Sequence, residues 1–169
     1  MELYFLRHAI AAEPGTIAVS HDSERPLTSE GIEKMEKAVE GMRRAGFSFD
    51  HFVSSPYLRA SETAKIVAEG LGFKGKIKFS DALVPGAELK DLFKLLREFK
   101  SGNKVLLVGH LPSIGEFVSN LISGKSTVAM DYKKGGMCRV DILETVVPGV
   151  VGELKWFLTP KQLRSLSSR

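Results

Sequence analysis

Residues 3–8 read LYFLRH, four apolar residues followed directly by an arginine and a histidine. A continuous apolar run of this length is typical of a β-strand that is buried on both faces. The run VLLV at residues 105–108 has the same character, and a glycine and His110 follow it. The two runs predict neighbouring buried strands, each with a histidine just beyond its end.

Helical patterns separate the apolar runs. Residues 32–42 and 89–99 carry apolar side chains at helical spacing, whereas residues 51–54 and 77–79 have the character of short strands, the second at a sheet edge. This alternation predicts an α/β fold. We expect a single three-layer domain over residues 1–169, in which helices cover both faces of a mostly parallel central sheet.

Capping and breaking residues predict where the helices begin and end. Thr28 has the character of an N-cap, and Gly46 and Gly72 are expected to end the first two helices. Pro56 suits the first turn of a helix, and Pro112 is predicted to open a later one.

The last part of the chain has a different period. Apolar residues alternate over 138–142 and again over 154–158, and Val147, Pro148 and Gly149 lie between the two segments. Strict alternation with a turn between the segments is typical of an antiparallel hairpin. We therefore expect an antiparallel hairpin at one edge of the sheet.

Composition excludes several classes of protein. The chain has 169 residues and a net charge of +4, with 24 basic and 20 acidic residues that are scattered rather than striped. This distribution favours a solvated surface over a nucleic-acid interface. One cysteine, Cys138, excludes both an intrachain disulfide and a cysteine-based zinc site. Without an export signal or a long apolar stretch, the expected location is the cytoplasm, away from membranes.

Polar side chains follow three of the predicted strands: Arg7 and His8 follow the first, Arg59 lies beyond the second, and His110 follows the 105–108 strand. Ligands of open parallel sheets bind beyond the carboxyl ends of the strands, so these four residues are expected to meet there. Guanidinium groups suit phosphate, and the segments 7–8, 54–59 and 109–112 that follow the strands contain no acidic residue. A phosphoryl dianion is the ligand that fits this arrangement best.

The two histidines suggest a division of labour. A neutral imidazole can attack phosphorus and form a phosphohistidine, and a second imidazole, if protonated, can donate to the phosphoryl oxygens in the transition state. His8 stands at the stiff end of a strand, so we assign it as the nucleophile and His110 as the stabilising partner.

Five segments together resemble one known family. LRHA at residues 6–9, SPYLRASETA at 55–64 and VGHLP at 108–112 resemble the motifs of the histidine phosphatase superfamily. RPLTSEG at 25–31 and WFLTP at 156–160 are similar to its short SixA-type branch, the phosphohistidine phosphatases. The segments run nearly end to end, and they occur in the family's order.

The resemblance implies a metal-independent phosphatase that hydrolyses phosphohistidine through a covalent intermediate on His8. It implies that Arg7, His8, Arg59 and His110 bind the phosphoryl group without any metal or organic cofactor. The implied partner is a phosphorylated protein, such as a histidine phosphotransfer domain, or a small phosphate compound. Ala9 replaces the family's usual glycine, so we expect either a negative φ at that position or some backbone strain.

The roles of three further residues stay open. Glu88 is either the general acid that protonates the leaving group or a first-turn carboxylate that the helix dipole favours. Arg25 either contacts substrate at the rim or braces its loop through a salt bridge. Ser55 either bonds phosphate or supports the turn before Pro56. Arg59, taken alone, would also suit a helix-surface pair with Glu62.

Two other functions use the same residues. A small-molecule or phosphoserine/phosphothreonine phosphatase would need a stronger general acid, because an alkoxide is a poorer leaving group than an imidazole. A non-catalytic phosphate-binding module would need the arginines more than a nucleophile. His21 and His51 have no such neighbours in the sequence, and we assign both to structure or surface.

Overall fold

The computed structural model describes residues 1–16, 19–142 and 152–166, which form six strands and five α-helices. The strands are β1 (Glu2–Arg7), β2 (His51–Ser54), β3 (Ile77–Phe79), β4 (Lys104–Gly109), β5 (Met137–Asp141) and β6 (Glu153–Leu158). The helices are α1 (Ser29–Arg44), α2 (Leu58–Gly70), α3 (Leu89–Leu96), α4 (Ser113–Ser123) and α5 (Pro160–Arg164).

The six strands form one sheet in the order β3-β2-β4-β1-β5-β6. The first four strands in this order are parallel to one another, whereas β5 pairs antiparallel with β1 and β6 pairs antiparallel with β5. The sheet confirms the predicted α/β fold with an antiparallel C-terminal edge. The predicted turn at 147–149 lies outside the described residues.

Both faces of the sheet are covered, and β1 shows how. Leu3 and Phe5 belong to the core that includes α3 and α4, whereas Tyr4 and Leu6 belong to the core that includes α1, α2 and α5. All four are at most 6% exposed, because successive side chains of a strand point to opposite faces. No helix in the described ranges has the length and apolar character needed to cross a bilayer.

Most helix boundaries match the sequence patterns. Thr28 is the N-cap of α1 and its hydroxyl accepts a hydrogen bond from the Gly31 N–H, as predicted. The prediction for Pro56 is wrong: α2 begins at Leu58, after a turn in which the Ser55 hydroxyl accepts from the N–H of Tyr57. Pro112 does stand at the start of α4, as its N-cap.

Two other features at helix ends differ from the predictions. Helix α3 ends at Leu96, so Phe99 packs against the core from beyond the helix. Helix α5 was not predicted, although a capping box of Thr159 and Gln162 marks its start and Pro160 is its first residue. That pattern is a recognisable helix start, but the strand-like residues before it draw attention away.

Glycines let α1 lie unusually close to its neighbours. A Cβ on Gly31 would lie 2.0 Å from the carbonyl oxygen of Ile10, and one on Gly41 would lie 1.9 Å from that of Leu163. Both distances are far inside van der Waals contact. The first contact matters for the site, because it packs α1 against the segment that follows His8.

Candidate active site

The carboxyl ends of β1 and β4 bring the two predicted histidines together. The ring centroids of His8 and His110 are 5.0 Å apart, and both residues are buried. Tyr57 places its ring 5.2 Å from that of His110, and the Arg59 guanidinium lies 5.2 Å from the same Tyr57 ring. Arg7 and Arg59 both act electrostatically on His8. These contacts bring His8, Arg59 and His110 together, beside Arg7, at the carboxyl ends of the strands. We call this cluster of four residues the cup.

The His8 side chain is held in one tautomer. Its backbone N–H donates to the Gly109 carbonyl at 3.0 Å, and its own carbonyl accepts from the Gly135 N–H at 3.0 Å. The ring Nδ1 lies 2.7 Å from the carbonyl oxygen of Ala9. A carbonyl oxygen only accepts hydrogen bonds, so Nδ1 carries the proton and Nε2 keeps a lone pair.

The surroundings of His8 also keep its ring neutral. Burial, together with the smaller effects of the positive charges of Arg59, Arg7 and Lys134, lowers the pKa of His8 to about 3 against the opposing effect of the Ala9 carbonyl. At neutral pH the imidazole is therefore unprotonated at Nε2. This is the protonation state that a nucleophile at phosphorus requires.

His110 is neutral as well, which changes the expectation for its role. Burial lowers its pKa to about 2, and the effects of His8 and Arg59 act in the same direction. Its Nε2 lies 2.9 Å from the Ser55 hydroxyl. A protonated His110 is therefore not the form that this environment favours, and the neutral ring offers a single N–H donor.

The two arginines are anchored and still have unsatisfied nitrogens. Arg7 Nη1 donates to the Tyr132 carbonyl at 2.6 Å, and Arg59 donates to the Asp22 carbonyl at 2.6 Å. Within the described residues, three buried side-chain nitrogens have no hydrogen-bond partner: Arg7 Nε, Arg59 Nε and His110 Nδ1. All three belong to the predicted phosphate-binding residues. Buried polar groups are normally paired, so this concentration indicates a site shaped for a ligand that accepts hydrogen bonds.

One carboxylate near the arginines was missed by the sequence reasoning. Asp22 Oδ2 accepts from Arg59 Nη2 at 2.8 Å, and Asp22 Oδ1 pairs with Arg25 at 2.7 Å. Burial would raise the pKa of Asp22, but hydrogen bonds from Arg25 and Arg59 lower it below the usual value. Asp22 lies outside the three segments that carry the arginines and histidines, so their lack of acidic residues did not reveal it. Asp22 is 37 residues from Arg59 in sequence, and no local pattern pairs them.

The structure shows what two of the residues with open roles, Arg25 and Ser55, contact. Arg25 donates through Nη1 to the Ala12 carbonyl at 2.6 Å and forms a salt bridge with Asp22. It therefore braces its loop, which is one of the two roles that we considered for it. The Ser55 hydroxyl supports the turn into α2 and touches His110. Direct contact of either residue with a substrate remains a prediction.

The alternative pairing of Arg59 with Glu62 is wrong. The Glu62 carboxylate accepts from the backbone N–H of Leu27 at 2.7 Å, while Arg59 turns toward Asp22. Glu62 thereby fixes the end of the loop that precedes α1, and the Arg59 side chain is left on the cup side of α2.

Glu88 lies on the surface. Its carboxylate pairs with Lys90 Nζ at 2.7 Å, with side chains 66% and 71% exposed respectively. The loop before it is tied to α4 by a hydrogen bond from the Gly86 N–H to the Ser113 hydroxyl. Among the described residues, no hydrogen bond joins Glu88 to the cup, and its role as general acid remains a prediction.

Thr63 connects two of the motifs and was not singled out from the sequence. Its hydroxyl accepts from the Ala9 N–H at 3.1 Å and donates to the Arg59 carbonyl at 2.6 Å.

No non-glycine residue in the described ranges has a positive φ, so Ala9 is accommodated without the strain that a positive φ would cause. The described residues contain no cluster of three or more His, Cys, Asp and Glu that would suit a metal ion.

Comparison with known proteins identifies the family. Residues 3–84, which include Arg7, His8 and Arg59, match the family model of the histidine phosphatase superfamily (branch 1). An uncharacterised protein from Picosynechococcus is 33% identical over 140 residues, which cover 81% of this chain and 82% of that protein. The chain belongs to the histidine phosphatase superfamily.

Within the superfamily, the chain is similar to SixA proteins. Phosphohistidine phosphatase SixA of Escherichia coli is 25% identical over 128 residues, or 75% of this chain and 77% of that protein. A structure of the protein histidine phosphatase SixA complexed with tungstate superposes with a TM-score of 0.82 at 24% identity, covering 96% of this chain and 99% of that one. These findings confirm the predicted family and fold.

The same fold also occurs in enzymes with other substrates. A phosphoserine phosphatase from Entamoeba histolytica superposes with a TM-score of 0.66 at 15% identity, covering 96% of this chain and 98% of that one. Membership of the superfamily therefore establishes a phosphatase of the hydrolase class and leaves the substrate to other arguments.

Proposed function

We propose that this protein is a metal-independent phosphatase that hydrolyses phosphohistidine on a protein, through a phosphohistidine intermediate on His8. The observation that carries the proposal is the state of His8: a buried, neutral imidazole with a free Nε2, held beside two arginines. The tungstate held by the structurally similar SixA supports an oxyanion as the ligand of this cup.

The reaction has two steps that the geometry supports. In the first, the Nε2 lone pair of His8 attacks phosphorus while the bond from phosphorus to the substrate nitrogen breaks. The electron pair of that bond returns to the substrate ring, which carries a proton on its other nitrogen, so that a neutral imidazole departs. Arg7, Arg59 and His110 bind the phosphoryl oxygens. In the second step, water attacks the phosphoryl group, releases inorganic phosphate and restores neutral His8. The Ala9 carbonyl, bonded to Nδ1–H, stabilises the positive charge that develops on the ring.

The preference for a phosphorus–nitrogen bond rests on the leaving group. An imidazole leaves without much help, whereas an alkoxide needs a proton from a well-placed acid. Glu88, the acid that the sequence suggested, is exposed and paired with Lys90. The similarity to SixA supports the same substrate class, and the proposed partner is a phosphorylated protein such as a histidine phosphotransfer domain.

The alternative is a phosphatase for phosphoserine, phosphothreonine or a small phosphate compound. The fold shared with a phosphoserine phosphatase favours it, and the cup itself would bind either phosphoryl group. A non-catalytic phosphate-binding module is less well supported, because a pure binder has no use for the free lone pair on His8.

A turnover panel separates the two substrate classes. Phosphohistidine protein, a phosphoserine peptide and simple sugar phosphates are compared with wild type, Glu88→Gln and the control Glu69→Gln, which changes an exposed carboxylate on α2. We expect the phosphohistidine protein to give the highest kcat/KM, changed less than twofold by Glu88→Gln. If Glu88→Gln lowers phosphoester and phosphohistidine turnover equally and steeply, the leaving-group argument is wrong.

A further inference from the structure

Next to the catalytic cup the protein has a cavity that the proposed reaction does not use. Its volume is about 370 Å³, within the range of small-molecule sites, and none of the four catalytic-cup residues lines it. It lies between the segment after β1, helix α1, the loop before β5 and helix α5. We call it the α1–α5 cavity.

The lining of the α1–α5 cavity combines an apolar body with a positive rim. Ile10, Met35, Ala38 and Pro160 supply apolar surface. Five of the thirteen lining residues are lysine or arginine, and none is aspartate or glutamate: Lys34, Lys133, Lys134, Lys161 and Arg164. A cavity of this composition is complementary to a molecule that carries a negative group on an apolar body.

The acidic partners of the rim do not block the cavity. Lys34, Lys133 and Lys134 pair with Glu30, Asp131 and Glu13 respectively, and these three carboxylates are more than half exposed and lie outside the lining. Exposed pairs of this kind contribute little to stability, because water screens both charges. A ligand anion can therefore compete for the same ammonium groups.

Two lining residues also hold the nucleophile segment. The Ala9 carbonyl accepts the hydrogen bond from His8 Nδ1, and the Gly135 N–H donates to the carbonyls of Arg7 and His8 at 3.1 and 3.0 Å. The cavity wall is thus the backbone that orients His8. We propose that the α1–α5 cavity is a separate binding site for a small amphipathic anion. The ligand class is a sulfonate, carboxylate or phosphate group on an aromatic or aliphatic body. The grounds are the volume of the cavity, its positive rim and the wall that it shares with the segment holding His8.

The proposal does not depend on the phosphatase activity, and binding alone tests it. The probe is 1-anilinonaphthalene-8-sulfonate, with the uncharged N-phenyl-1-naphthylamine as its matched neutral counterpart. We expect saturable fluorescence titration at one site for the sulfonate and at least tenfold weaker binding of the neutral probe. The double variant Lys161→Glu/Arg164→Glu should weaken sulfonate binding at least tenfold. The control Lys65→Glu/Lys125→Glu changes the net charge equally on exposed residues outside the cavity and should leave binding unchanged.

A second measurement locates the probe in the wild-type chain, so the test stands even if the double variant fails to fold. In ¹H–¹⁵N spectra, the sulfonate should shift the amide signals of Gly135 and Lys161 more than those of Arg59 and His110. Shifts centred on Arg59 and His110 would place the probe in the catalytic cup and overturn the proposal. Equal binding of both probes, or equal loss in both double variants, would overturn it as well.

Discussion

Burial of the His8 and His110 rings disfavours their protonation in the folded protein, and this makes the free energy of unfolding depend on pH. Each ring is neutral in the folded protein down to a pH far below the ordinary histidine pKa, because burial opposes protonation. In the unfolded chain both rings take up a proton near pH 6.5. The folded state is therefore fully stable with respect to these groups above pH 6.5, and it loses stability progressively as the pH falls from there toward about 3.

The first prediction is a pH dependence that belongs to these two rings. Between pH 6.5 and 5.5 the wild type should lose up to about 1.4 kcal/mol of unfolding free energy per pH unit for each ring. His8→Gln and His110→Gln should each remove roughly half of the combined slope of the two rings, because glutamine does not titrate. Urea unfolding at pH 7.5, 6.5, 6.0 and 5.5 measures it. Identical slopes in all three proteins would show that neither ring is held neutral by the fold.

Asp22 is the residue that competes with the proposed substrate. Its carboxylate is bonded to Arg59 and Arg25, and its side chain is 53% exposed, so it can swing away at small cost. An oxyanion that binds Arg59 must either displace this carboxylate or share the guanidinium with it. The negative charge of Asp22 then weakens oxyanion binding.

The second prediction follows from this competition. Asp22→Asn should tighten orthovanadate binding by roughly three- to tenfold, equivalent to about 1 kcal/mol, because the competing charge is removed. Inhibition constants measured at fixed ionic strength test it, with Glu36→Gln as a control on an exposed face of α1. Weaker vanadate binding in Asp22→Asn would instead show that Asp22 holds Arg59 in its working position.

The sequence predicted the four cup residues and could not predict their protonation or their carboxylate neighbour. Arg7, His8, Arg59 and His110 each follow a strand or lie in a motif, so local sequence marks them. The pKa of a histidine depends on burial by distant segments, which no local pattern encodes. The Asp22–Arg59 pair forms only because the loop before α1 folds back over the start of α2.

At the scale of elements, β1 and α1 together fix the nucleophile. Strand β1 ends at Arg7, and the following segment passes beneath α1, where Ile10 meets Gly31 with no room for a side chain. The Thr28 N–H donates to the Ile10 carbonyl at 3.0 Å, which adds a second tie between the same elements. Any displacement of α1 should therefore change the position of His8.

The third prediction uses this contact. Gly31→Ala should destabilise the fold by roughly 1–3 kcal/mol, because its Cβ would overlap the Ile10 carbonyl, and it should lower kcat together with stability. Gly115→Ala is the matched control: it is also a helical glycine, but its Cβ would meet only the Leu111 side chain at 3.4 Å. That change should be neutral or stabilising by up to about 1 kcal/mol.

Thermal unfolding and steady-state kinetics of both variants provide the check. If Gly31→Ala were as stable and as active as Gly115→Ala, the close approach of α1 would not matter to the site. The sequence could predict α1 itself from its periodicity and N-cap. It could not predict the close contact between Gly31 and the Ile10 carbonyl. The sequence around a helical glycine does not show which distant backbone segment packs against it.

For the whole molecule, the fold concentrates positive charge in one cup although the net charge is only +4. Strands β1, β2 and β4 are adjacent in the sheet, so three segments separated by up to about a hundred residues deliver their polar ends to one place. The alternation of strands and helices was enough to predict this convergence. The antiparallel edge was predicted as well, whereas helix α5, which closes the α1 face, was missed although its capping box marks its start.

The fourth prediction concerns ligand binding to the intact protein. Orthovanadate at about 100 times its Kd should stabilise the folded state by about 2.7 kcal/mol, which corresponds to a rise of roughly 5–10 °C in Tm for a chain of this size. Arg7→Gln should lose most of the shift, because one of the two guanidinium groups is gone. Adding a chelator such as EDTA should change neither the vanadate shift nor the turnover. Loss of activity in EDTA, with recovery on adding a metal ion, would contradict the metal-independent mechanism.

The most direct test of the central claim is to trap the phosphoenzyme and locate the phosphoryl group by mass spectrometry under alkaline conditions, which preserve phosphohistidine. We expect an acid-labile phosphoryl group on the peptide that contains His8, and its complete loss in His8→Ala. A phosphoryl group on another residue, or full turnover by His8→Ala, would contradict the account.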